Sequence, residues 1–206
     1  MITADNRKPK WFFYPGWVVL STLSILIAWL ISGVVVSQIE RIVGGTIEVA
    51  GRTRITEDFM FDYVFFPTLV LLTGLLQYLL LRHYLPRIGR WIAATALGWL
   101  LGIAVVYLGH AIWPVALNAN SVWSAMLIGA VTGLAQWLVL RRWVPRAGWW
   151  IPASVLGWGL VRLIAGKVFT NLLELLIIGA VPAAVTGLAL WWLLNHLPQH
   201  EIAVRR

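Results

Sequence analysis

The 206-residue chain is 60% hydrophobic, only 12% charged and free of cysteine, and its mean hydropathy is +0.82. A soluble domain carries about 25% charged residues, so this composition excludes an ordinary water-soluble globule, and the missing thiols exclude disulfides, thiolate catalysis and zinc–thiolate sites. The net charge of +8 would suit a phosphate backbone, but the charges sit in short clusters between long apolar blocks, where membrane topology puts them, and no nucleic-acid partner is expected.

Residues 1–10 form a short basic tail, and Trp11, Phe12, Phe13 and Tyr14 before Pro15 read as an interfacial aromatic belt. Apolar stretches of about 20 residues match the bilayer's hydrocarbon core, and six such spans are predicted, at 16–39, 64–81, 91–113, 123–140, 149–166 and 172–194. The first is too long for a signal-peptide core and lacks a small-x-small cleavage site, so it is expected to be retained. The one sizeable polar segment, 40–62, carries five acidic and three basic residues, and its alternating stretch TIEVAGRTRIT, with Gly44-Gly45 and Ala50-Gly51 as turn signals, predicts a small β-hairpin. Pro67 is expected in the first turn of the second span, where its missing N–H costs nothing. With the N-terminus inside, the inner segments hold 11 Lys and Arg and the outer loops 4, which places both termini in the cytoplasm by the positive-inside rule. The whole chain is one all-α transmembrane domain.

One stretch is spelled twice. TGLLQYLLLRHYLPRIGRWIAATALGW begins at Thr73, and TGLAQWLVLRRWVPRAGWWIPASVLGW begins at Thr132, an offset of 59 residues (132 minus 73). A weaker third copy of the first half begins at Thr186, and Trp17-Val-Val-Leu-Ser21 matches Trp91-Ile-Ala-Ala-Thr95 and Trp150-Ile-Pro-Ala-Ser154. The expectation is one two-helix hairpin used three times, with parallel repeats about a pseudo-threefold axis along the membrane normal and 40–62 inserted in the first. Small residues spaced by four (Ala94, Gly98 and Gly102; Ala125, Gly129 and Gly133; Gly179, Ala183 and Gly187) predict close helix packing.

The strings T-G-L-x-Q-[YW]-L-x-L-R and P-R-x-G-x-W-I-x-x-[ST]-x-L-G-W resemble a repeat found in uncharacterised bacterial multi-pass membrane proteins. The resemblance covers most of spans two to five and, weakly, span six, and implies a bacterial cytoplasmic (inner) membrane protein. It implies no activity.

Several residues are candidates for a role. Gln77 and Gln136 occupy matched positions, with Leu190 in the third copy; a buried glutamine either ties helices together or lines a solute path. Arg162 lies about six residues, roughly 9 Å, inside the fifth span, with Glu174 one turn into the sixth. An intramembrane charge is a functional hypothesis, against a structural ion pair or snorkelling to the headgroups. Arg82, Arg87 and Arg90, and Arg141, Arg142 and Arg146, fill the two inner turns and are expected to meet anionic lipid headgroups. His110 stands alone, so no metal or cofactor is expected. Trp17, Trp91 and Trp150 are read with Trp11, Trp113, Trp123, Trp143 and Trp149 as aromatic belts, and Trp29, Trp99, Trp137 and Trp158 as deeper. These features favour a non-catalytic accessory or scaffold subunit packing with other membrane proteins, lipids or pigments. The alternative is a small solute or ion transporter or channel built from the hairpins; an enzyme is disfavoured, because the carboxylates collect in 40–62 with no histidine beside them.

Overall fold

The computed structural model describes residues 11–49, 51–118, 121–165 and 171–196. Among the described residues, six helices are long and apolar enough to cross a membrane, as expected of an all-α multi-pass membrane protein. They are α1 (Phe13–Val43), α2 (Thr56–Leu81), α3 (Arg90–His110), α4 (Val122–Leu140), α5 (Ala147–Ala165, its first turn a 3-10 turn) and α6 (Leu172–Asn195). Each packs against its neighbours in sequence, and α6 closes onto α1. The result is a closed ring. One end, here the basic end, carries turns 82–89 and 141–146 with the start of α1 and the end of α6. The other carries the β-hairpin.

The ring closes tightly because small residues face the next helix. A β-carbon on Gly98 of α3 would lie 2.7 Å from Thr132 Cα of α4, and one on Gly102 would lie 3.1 Å from Ile128 Cα. Gly129 and Gly133 of α4 meet Ser154 of α5 in the same way, and Gly179 and Gly187 of α6 meet Thr22 and Trp17 of α1. The predicted seams are thus helix–helix contacts, where dispersion and not water drives association.

Three boundaries differ clearly from expectation. Helix α1 continues to Val43, so much of the start of 40–62 is helical. Helix α2 begins at Thr56, eight residues before the expected 64. Thr56 is fully buried, its N–H donates to Gly45 O (3.0 Å) and its hydroxyl to Gly44 O (2.8 Å). Glu57 and Asp58 in the first turn complement the positive end of the helix dipole. The regular α-helical part of α2 runs from Phe66 to Leu81 after a π turn at Phe61–Phe65, and Pro67 sits in the first turn of that part, as expected, where its missing N–H costs little. Between α1 and α2 the predicted hairpin forms, β1 (Thr46–Val49) pairing antiparallel with β2 (Arg52–Ile55). Helix α3 ends at His110, ahead of the expected 113.

The two basic turns share one conformation. Arg87 and Arg146 both take left-handed backbone, φ 53° and 60°, which is uncommon outside glycine. Leu85 and Ile88 in one turn, and Val144 and Ala147 in the other, are buried with Phe13, Leu190, Leu193 and Leu194, so each turn plugs the basic end while its arginines stay exposed.

Candidate functional site: a hydroxyl-lined chamber at the centre of the ring

At the basic end the indoles of Trp17 (α1), Trp91 (α3) and Trp150 (α5) meet edge to face. Their centroids lie 6.2 Å apart for Trp17–Trp91, 6.0 Å for Trp17–Trp150 and 5.6 Å for Trp91–Trp150, within the range where such pairs add stability beyond area burial. All three are buried to 1% exposure or less. This corrects their assignment to an aromatic belt: they form the innermost contact of the bundle, because each indole N–H finds an acceptor on an adjacent helix. Trp91 Nε1 donates to Gln77 Oε1 (3.1 Å) and Trp150 Nε1 to Gln136 Oε1 (3.0 Å). Trp17 Nε1 donates to Thr186 Oγ1 (3.3 Å). Trp11, Trp113, Trp123 and Trp149, by contrast, are well exposed, as a belt requires.

The glutamines bridge three helices each. Gln77 Nε2 donates to Ser21 Oγ on α1 (3.1 Å), and Gln136 Nε2 donates to Thr95 Oγ1 on α3 (3.0 Å). Burial of an amide without partners would cost about 1–3 kcal/mol, and each amide here has one donor and one acceptor engaged. Both readings of these residues meet in one place, since the same two glutamines tie helices together and line a cavity.

That cavity, of about 60 Å³, lies directly beyond the tryptophan layer. Every helix contributes one hydroxyl to its wall: Ser21, Thr73, Thr95, Thr132, Ser154 and Thr186. Roughly 10–15 Å³ is enough to admit one water, so the chamber has room for more than one. Among the residues that line it none is charged. Thr95, Ser154 and Thr186 spend their hydroxyl protons on the carbonyls of Trp91, Trp150 and Pro182 in their own helices, and so turn oxygen lone pairs toward other groups. Thr73 and Ser24 hydroxyls share a hydrogen bond of 2.7 Å. The Thr132 hydroxyl is buried and has no partner among the described residues.

Above the chamber, two helical turns from the first tryptophan layer, stand Trp99 and Trp158, centroids 4.9 Å apart and nearly perpendicular. The matched position on α1 is Ile25, which also lines the chamber. No indole hydrogen bond is made by either tryptophan among the described residues. Pro182, inside α6, also lines the wall. Its missing N–H leaves the carbonyl of Ile178, another wall residue, without its usual donor.

The remaining candidates lie elsewhere. Arg162 and Glu174 are both half-buried at the β-hairpin end, away from the chamber, and Glu174 N–H donates to the capping side chain of Asn171 (3.0 Å). Arg82, Arg87, Arg90, Arg141, Arg142 and Arg146 are exposed at the basic end; the Arg141 guanidinium lies 4.9 Å from the Trp137 ring centroid. His110 is exposed at the end of α3, and among the described residues no cluster of His, Asp and Glu could hold a metal ion. Sequence reasoning missed the hydroxyl wall and the tryptophan layer. A signal was present, since Gln77–Trp91 and Gln136–Trp150 are separated by the same 14 residues.

No protein-family model, curated protein or solved structure matches this chain.

Proposed function

We propose that the chain is a non-catalytic protein of the bacterial cytoplasmic membrane, one helical hairpin used three times, that takes a small solute into the chamber at the centre of its ring. The repeat is supported by position: matched residues Trp17, Trp91 and Trp150 form one layer, and matched residues Ser21, Thr95 and Ser154 line the wall beyond it. The placement of Arg82, Arg87, Arg90, Arg141, Arg142 and Arg146 in the two turns of the basic end supports a cytoplasmic basic end, with anionic headgroups around it.

The observation that carries the solute reading is the chamber itself, a ring of six hydroxyls and two amides in a part of the protein that lipid would otherwise require to be dry. Most of these groups also tie helices together, but the Thr132 hydroxyl and the lone pairs of Ser154 face the chamber without serving any tie among the described residues. The accessory-subunit reading draws on the apolar outer faces, which every lipid-facing helix has. Catalysis is disfavoured because no Asp, Glu or His lines the wall to serve as a general base.

The absence of native cysteine makes the test direct. Thr132→Cys and Ser154→Cys in membrane vesicles are expected to react with a small neutral methanethiosulfonate, and Leu163→Cys, on the exposed outer face of α5, to stay unlabelled. Chamber thiols that resist the reagent from both sides of the membrane defeat the solute reading. In the same vesicles Arg87→Cys and Arg52→Cys report which end faces the cytoplasm.

A further inference from the structure

The third hairpin departs from the other two at one point, and the departure leaves a vacancy of defined chemistry. In the first hairpin the Gln77 carboxamide donates to Ser21, and in the second the Gln136 carboxamide donates to Thr95. The matched hydroxyl in the third is Ser154. It donates to Trp150 O but accepts no hydrogen bond among the described residues, because the residue that would supply the carboxamide is Leu190. Leu190 is fully buried in the apolar cluster of the basic end and is not part of the chamber wall. Trp17, which by the same pattern would seek that carboxamide's oxygen, turns to Thr186 instead. Ser154 and the partnerless Thr132 both line the chamber, on adjacent helices, and Gly133 of α4 lies against the Ser154 side chain.

We propose that the chamber binds a small neutral amide, of the size of formamide or urea, whose N–H group donates to Ser154 where a third glutamine would have done so. This rests on the solute reading above and names its substrate class. The wall offers amide N–H donors from Gln77 and Gln136 together with the lone pairs of Ser154 and Thr132. A ligand with both donors and acceptors meets both, whereas a cation faces the N–H groups and an anion the lone pairs. Bare ions also lose their hydration on entering such a site, and no charged wall residue offsets that loss. A volume of about 60 Å³ suits a ligand of the size of urea or formamide.

The test uses the full chain in proteoliposomes, with urea and formamide entry followed by light scattering and potassium and chloride entry by ion-sensitive dyes. Urea and formamide should enter faster than in empty vesicles while the ions do not. Thr132→Val, which removes a hydroxyl that nothing else uses, should slow urea entry about fivefold at unchanged thermal stability. Leu190→Gln should slow it further by giving Ser154 its own carboxamide. Potassium or chloride entry as fast as urea entry overturns the amide assignment and leaves a solute pathway standing. Urea entry indifferent to both substitutions places the pathway elsewhere and overturns it too. No entry of any probe, together with unreactive chamber thiols, removes the solute reading itself and the assignment with it.

Discussion

The two aromatic layers on either side of the chamber are built to different standards. At the basic end three indoles close a triangle, each with its N–H engaged by a side chain on a neighbouring helix. Two turns away, Trp99 and Trp158 touch each other across the ring, with Ile25 in the third position. Rings that are hydrogen-bonded as well as packed have one arrangement of low energy, and moving them strands buried polar groups. Rings held by contact alone can slide over one another at small cost. The first layer reads as a floor and the second as the side from which the chamber can be reached.

The comparison breaks first at the floor. Trp91→Ala is expected to cost about 3–5 kcal/mol through the cavity left behind, whereas Trp99→Ala, at a layer with more freedom to collapse, should cost less; thermal unfolding in detergent measures both. Equal losses would mean that the layers do not differ. A finer cut is Trp91→Phe against Trp17→Phe. The first strands the Gln77 carbonyl oxygen, a loss of about 1–3 kcal/mol, while the second leaves Thr186 still bonded to Pro182 O and should cost less. Gly98→Ala, whose new carbon meets Thr132 Cα at 2.7 Å, should cost about 1–3 kcal/mol by overpacking, and it should do so whichever layer is intact, since it acts on the α3–α4 contact.

The smallest effect concerns the turn beneath the floor. Tyr84 stands edge to face against Phe13, centroids 5.0 Å apart, and burial pushes its phenol above the ordinary value near 10. A raised folded-state value means that the neutral phenol favours the folded state. That contribution is whole below the unfolded value and is lost as pH rises through the folded one. Tyr84→Phe should therefore flatten the alkaline limb of the stability profile and leave neutral pH unaffected.

The six spans were legible because apolar block length is set by the bilayer and leaves little choice. Boundaries were less so. Pro67 marks the first turn of the regular helix Phe66–Leu81, but nothing beside it in the sequence signals that helical backbone already begins at Thr56, whose N–H and hydroxyl are taken by Gly45 O and Gly44 O. The tryptophans show the same limit. An indole near a helix end satisfies both an interfacial belt and a core hydrogen bond, since it is apolar with one polar edge. Trp149 and Trp150 are adjacent in sequence, yet one is 61% exposed and the other 1%. What separates them is which face of α5 looks inward. The hydroxyl wall was invisible for a related reason, because single serines and threonines in six different spans carry no local pattern. Gln77 and Gln136 were found because they repeat, but the repeat could not say that one site would serve as both tie and lining.

Closure of α6 onto α1 has a consequence for the order of the chain. Phe13 shares its apolar cluster with Leu193 and Leu194, so the start of the first helix and the end of the last are neighbours at the same end of the ring. A short linker across that gap, with new ends opened in the turn 141–146 between the second and third hairpins, would give a circular permutant whose hairpins run in a different sequence around the same chamber. In a ring of this kind no hairpin is first, and chain order is a property of synthesis more than of the finished fold.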